Sequence, residues 1–198
     1  MQALRDPGLA AILRSADLNL ADGAGVLWAA RRMGTPLPGR VSGVDFLRAL
    51  ASRGALEGWR FFFLGGAPGV AEAAGDALRT AFPGFKLVGT FGGSPDPRDD
   101  AGSLATVRGS GAQLLFVAYG GGGEEAWLSR NLAPSGALVG MGVGGAFDFI
   151  SGRTRRAPTF MREHGLEWLH RLSREPWRWR RMLALPRYMA RVIAEDRA

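Results

Sequence analysis

Short apolar runs alternate with stretches of helical period through the first 150 residues. The apolar run at 59–64 (WRFFFL), broken only by Arg60, predicts a buried strand, and Gly65-Gly66-Ala67-Pro68-Gly69 behind it opens a helix over 70–81. The same punctuation predicts strands at 16–20, 85–90, 113–119 (QLLFVAY) and 137–143. Helices are predicted through Val26, Leu27, Ala30 and Met33, over 44–53 with Phe46, Leu47 and Leu50 on one face, over 99–109, and over 124–132. Strand, loop and helix repeated in this order imply an α/β fold, a parallel sheet with helices on both faces. Ligands of such sheets bind at the carboxyl ends of the strands.

Past residue 150 the pattern changes. Residues 151–158 (SGRTRRAP) form a basic loop, and helices are predicted over 165–174 and 176–193 with no further strand signal. The expected organisation is a sheet domain over 1–150 and a C-terminal helical appendage over 151–198. Trp177, Leu185, Met189 and Val192 can share one side of the last helix, bordered by arginines. That is the pattern of a helix lying at an anionic lipid surface. Packing of part of this side on the domain or on a second copy is the alternative, so a homo-oligomer stays open.

Charge sharpens the division. Of 25 basic and 18 acidic residues, the last 48 positions hold 12 Arg and 5 acids, which leaves 13 of each sign in residues 1–150. The whole +7 excess therefore sits in the appendage with three of the six Trp. A neutral first domain argues against a nucleic-acid partner, although a basic tail alone would bind DNA in a salt-dependent way. With no Cys there is no disulfide, thiolate nucleophile or Cys-ligated metal, and His164 and His170 are too few for a multi-histidine site. No run approaches the apolar length of a membrane span, and Asp6-Pro7 interrupts any signal-peptide core. A cytoplasmic location is the default.

The candidate chemistry lies at four glycine-rich turns: Asp22-Gly23-Ala24-Gly25, Gly65 to Gly69, Gly120 to Gly123, and Gly142 to Gly145. Bare amides before a helix suit a diphosphate, although such turns need glycine for geometry alone. None carries the G-x-G-x-x-G fingerprint or a Walker A sequence. Asp22 reads either as a helix N-cap or as a general base on a hydroxyl. Arg40 reads as a solvated arginine or a diphosphate clamp. Glu124 and Glu125 suit a helix dipole. Asp148, between Phe147 and Phe149, requires a partner, with Arg153, Arg155 and Arg156 as candidates.

In this order the segments resemble the WecG/TagA/CpsF family of bacterial glycosyltransferases. The matching stretches are ADGAGVLWAAR (21–31), PLPGRVSGVD (36–45), FLGGAPGVAE (63–72) and GVGGAFDF (142–149). RRAP (155–158) and GLEWLHRL (165–172) through Glu175-Pro176 complete the series. The resemblance implies a Rossmann-like fold and transfer of an N-acetylmannosamine-type sugar from a UDP donor to an undecaprenyl-diphosphate-linked amino sugar. It implies a role in cell-surface polysaccharide or teichoic acid synthesis, at the inner face of the cell membrane, by inverting chemistry without metal or cofactor. Asp22 then matches the catalytic base, Arg40 a diphosphate contact, and Arg171, Arg178 and Arg181 the lipid-diphosphate and membrane contacts. With Gly65, Gly66, Glu124 and Asp148 these make up the expected substrate-binding set.

Two departures from the family pattern stand out. Relatives carry an N-terminal strand ending in Thr-x-Asn, and the chain is expected to lack it. The family turn Gly-x-Pro-Lys-Gln-Glu reads Gly120-Gly121-Gly122-Gly123-Glu124-Glu125 here. A carboxylate at 124 adds negative charge and removes an amide donor, so weaker donor binding is expected. The alternative function is a non-catalytic binder of nucleotide sugar or lipid diphosphate.

Overall fold

The computed structural model describes residues 3, 5–158, 160–161, 167–174, 179 and 184–195. They form two compact units. One comprises the described residues within 2–17 and 43–155; the other comprises those within 18–42 and 156–198. This contact-based division groups residues 18–42 with the basic C-terminal segment, whereas charge and period alone divide the chain at 150.

The larger unit begins with α1 (Pro7–Ser15), started by Pro7 in the first turn and by the Asp6 carboxylate, which accepts the Leu9 N–H at 3.0 Å. It continues with α3 (Gly43–Glu57), β1 (Arg60–Gly65), α4 (Val70–Ala81), β2 (Lys86–Phe91), a short 3₁₀ turn, and α5 (Asp100–Ser110). Then come β3 (Leu114–Ala118), α6 (Gly123–Ser135), β4 (Val139–Gly142) and α7 (Ala146–Ile150). The four strands are all parallel in the order β2-β1-β3-β4. The α/β reading of the sequence therefore holds.

Alternate side chains of β1 and β3 feed two cores, because both faces of these strands are covered. Phe61, Phe63 and Phe116 point toward α3, α4 and α7, joining Leu47, Leu78, Phe85 and Phe147. The Phe63 and Phe147 rings stack at 4.6 Å. Phe62, Leu64, Leu115 and Val117 point the other way, to Val107 of α5 and Trp127 of α6. Close helix–sheet approach is bought with small residues: Gly75 of α4 faces the Leu87 side chain, and a Cβ at Gly89 would lie 2.7 Å from the Phe62 ring.

The expected strand at 16–20 is absent: this segment is irregular, and Leu18 is 68% exposed. Three apolar residues in five (Ala16, Leu18 and Leu20), with no neighbouring ladder among the described residues, leave it little to bury. One backbone bond, from the Val41 N–H to the Ala21 carbonyl at 2.9 Å, does pair the chain on either side of α2 (Ala24–Arg32). In this smaller unit the described tail helices are α8 (Glu167–Arg174) and α9 (Ala184–Glu195). Val192 of α9 is 4% exposed and α9 packs on α2, so part of the predicted lipid-facing side is occupied by packing. Met189 remains exposed, as do Phe160, Trp168, Leu169 and Trp179. Among the described residues, no helix is long and apolar enough to cross a membrane.

Candidate functional site

The sheet order reverses between β1 and β3. From β1 the chain crosses to β2 on one side, and from β3 to β4 on the other. Helices leaving neighbouring strands in opposite directions open a crevice at the strand carboxyl ends, the usual ligand position in such sheets. Gly65 and Gly66 form the β1 lip of that crevice and Gly120 to Gly123 the β3 lip. The Gly66 N–H donates to the Ala118 carbonyl at 3.0 Å, tying the two lips together.

Gly65 has no substitute. Its φ is +89°, and a Cβ would lie 2.8 Å from the Ala118 carbonyl oxygen and 2.9 Å from the Tyr119 ring. The Tyr119 ring reaches onward to Gly93, where a Cβ would meet the phenol oxygen at 2.5 Å. This hydroxyl is buried with no hydrogen-bond partner among the described residues. Burial first, then the Asp100 and Asp99 charges, pushes the phenol up to about 12. It stays a neutral donor at physiological pH.

Glu124 opens α6 and is 8% exposed. Its carboxylate accepts the Gly120 N–H at 2.8 Å and the Gly144 N–H at 3.2 and 3.3 Å. Burial raises its pKa and the adjacent Glu125 charge adds to this, while the amide bonds oppose both. A carboxyl raised in the folded state stabilises the fold most fully at pH below its unfolded value. That contribution fades as pH climbs through the folded value. Sequence reasoning placed Glu124 at a helix start but missed the bridge to Gly144, which depends on β3 and β4 being neighbours.

Asp148, in α7, finds one of its three candidate partners: Arg153 Nε lies 3.9 Å from its Oδ1. Arg156 instead donates to the buried Ser42 hydroxyl at 2.8 Å, a contact within the smaller unit. Asp22 is exposed and stands one residue outside the cap position of α2, which Gly23 occupies without any side-chain cap bond. The Val41-to-Ala21 backbone bond sets the Asp22 and Arg40 positions on adjoining segments of the smaller unit. Gly65, Gly66, Glu124 and Asp148 all belong to the larger unit. Arg171 lies within α8, and Arg178 and Arg181 fall outside the described residues.

One ion pair not singled out from sequence secures the loop beyond β2. Arg130 of α6 donates from Nε and Nη2 to the two Asp100 oxygens at 2.7 and 3.1 Å, and from Nη2 to the Pro95 carbonyl at 3.1 Å. The Arg130 guanidinium holds Asp100 below the ordinary carboxylate range, against the opposing effect of burial. A depressed carboxyl stabilises the fold above its unfolded value and loses that contribution as pH falls through the folded one. Arg130→Ala is thus expected to cost about 1 kcal/mol near neutrality. In paired urea titrations, the gap from wild type closes on acidification.

Comparison with known proteins completes the picture. Residues 1–198 match the Glycosyl transferase WecG/TagA/CpsF family. A protein of Bacillus spizizenii strain W23, an N-acetylglucosaminyldiphosphoundecaprenol N-acetyl-beta-D-mannosaminyltransferase, is 36% identical over 200 residues, covering 100% of this chain and 76% of its own. A protein of the same description from Bacillus subtilis strain 168 is 30% identical over 197 residues, covering 98% of this chain and 75% of its own. With a parallel sheet, glycine turns at its switch point and an end-to-end match, the chain belongs to the WecG/TagA/CpsF family of glycosyltransferases.

Proposed function

We propose that the protein transfers an N-acetylmannosamine-type sugar from UDP to an undecaprenyl-diphosphate-linked amino sugar, in the synthesis of a cell-surface polysaccharide or teichoic acid. The observation that carries this reading is 36% identity across the entire chain to a mannosaminyltransferase acting on a diphosphoundecaprenol acceptor. In the proposed step, Asp22 takes the proton of the acceptor hydroxyl as its oxygen bonds to the anomeric carbon. The anomeric carbon's bond to the UDP oxygen breaks on the opposite side, so configuration inverts. UDP leaves with the bonding electron pair, and Arg40 stabilises the charge that develops on it. The glycine turns of the sheet receive the nucleotide. In this mechanism neither metal nor cofactor takes part, so a chelator is expected to leave the rate unchanged.

The reading is tested by following UDP release with and without lipid acceptor. Release that depends on the acceptor supports it; release at the same rate without acceptor argues against it.

Docking to the inner face of the cell membrane follows from the same proposal. The exposed aromatic residues Phe160, Trp168 and Trp179 accompany the arginine-rich tail, and each basic residue near an anionic leaflet contributes about 1 kcal/mol. Arg171, Arg178 and Arg181 are assigned to the lipid diphosphate and headgroups. The chain is expected to float with vesicles containing anionic lipid and to be released by high salt. Equal flotation with neutral vesicles would remove the arginines from this role.

A further inference from the structure

We propose that Glu124 is a positioning residue for the donor: its carboxylate sets the spacing between the turn after β3 and the turn after β4. This rests on the glycosyltransferase reading of the site. The geometry is a three-point tie. One carboxylate oxygen takes the Gly120 N–H at 2.8 Å, and both oxygens share the Gly144 N–H at 3.2 and 3.3 Å. Both glycines have left-handed backbones, with φ of +70° and +50°, so each turn is a conformation that side-chain-bearing residues rarely adopt.

The surroundings are shaped around this side chain. A Cβ on Gly142, the last residue of β4, would lie 2.8 Å from Glu124 Cγ and 3.2 Å from its Cδ and Oε1. Glycine at 142 is therefore what admits the glutamate between the strand ends. The tie uses both carboxylate oxygens. Glutamine has the same length but offers one acceptor oxygen, and its amide nitrogen would point donors at a backbone donor. Aspartate is one methylene too short to reach both turns.

The negative charge of Glu124 would, by itself, oppose an anionic diphosphate nearby. Here that charge is directed onto two backbone amides, and the gain is order. The β3 lip of the crevice is held against the turn after β4 before ligand arrives, which lowers the entropy lost on binding. The two effects predict opposite signs for one substitution.

Three measurements on the full chain separate them: the Michaelis constant for the UDP-sugar against kcat, hydrogen exchange in peptides spanning 119–123 and 143–145, and the melting temperature. In Glu124→Ala, exchange is expected to rise about tenfold in both turns together, since both amides lose their acceptor. KM for the donor rises about fivefold while kcat changes less than twofold, the signature of lost ground-state binding. Gly142→Ala approaches from the other side, displacing the Glu124 stem with the carboxylate intact, and produces the same paired changes. A merely structural role would lower the melting temperature with KM unchanged, and a dominant charge effect would lower KM; either overturns the proposal. Exchange rising in one turn alone also overturns it. If the wild type shows no acceptor-dependent turnover, the functional reading falls and the donor role with it. Turnover with an unchanged KM removes only the role of Glu124.

Discussion

Asp22→Asn is expected to lower kcat by about 100- to 10,000-fold, the range a positioned general base supplies. The substitution keeps the shape of the side chain and removes its ability to take the acceptor proton. The structural alternative for Asp22 was an N-cap, whose loss would appear as instability. The cap position of α2 belongs to Gly23, one residue past Asp22. Asp22 is exposed, so the variant should melt within a few degrees of wild type. Its affinity for UDP, measured by calorimetry, should be preserved or slightly raised, since a negative charge has gone. A variant that turns over normally would take the base role from Asp22. One that fails to fold would assign it to structure.

Trp127→Ala carries the largest expected effect on stability, about 3–5 kcal/mol. Trp127 is completely buried on α6, where it fills the core between Val107 and the Phe62, Leu64, Leu115 and Val117 face of the sheet. Its indole N–H donates to the Ser103 hydroxyl at 3.1 Å, which pins α6 to α5. Removing the ring leaves a cavity that the flanking strands are too well paired to close. Ser103 is not orphaned by the change, because its hydroxyl can still donate to the Asp99 and Asp100 carbonyls. The cost is therefore packing above all. Trp127→Phe, which restores most of the volume and lacks the donor, should recover the greater part of it. With total stabilities of roughly 5–15 kcal/mol for domains of this kind, the alanine variant loses about a fifth or more. Urea midpoints at neutral pH measure both variants, and a loss below about 1 kcal/mol for alanine would contradict the packing account.

The parts of the fold legible in the sequence are those where burial is two-sided. β1 and β3 read as unbroken apolar runs because helices cover both of their faces, and α4 was delimited over 70–81 by Gly69 before it and by its own period. The parts that were not legible lack that signal. Residues 16–20 carry strand-like residue types without a neighbour to pair with. α7 is five residues long, too short for periodicity to register. α1 is announced by Asp6-Pro7, a capping pair that also breaks any signal-peptide core, and its nine residues give periodicity little room. The glycine turns are visible as residue types at strand ends, and Asp22 as a carboxylate just before a helix. The use made of the turn amides is not. Glu124 is adjacent in sequence to the Gly120 turn but reaches Gly144 only because β3 and β4 pair side by side. Likewise, Arg153 could be selected among three candidate partners of Asp148 only from three-dimensional placement.

The central claim is the transfer itself. The most direct measurement is mass spectrometry of the lipid after incubating the full chain with UDP-N-acetylmannosamine and undecaprenyl-diphosphate-linked N-acetylglucosamine. The account predicts a lipid heavier by one N-acetylhexosamine residue, with one UDP released per lipid converted. An unchanged lipid under conditions where the protein is folded and binds UDP would contradict it.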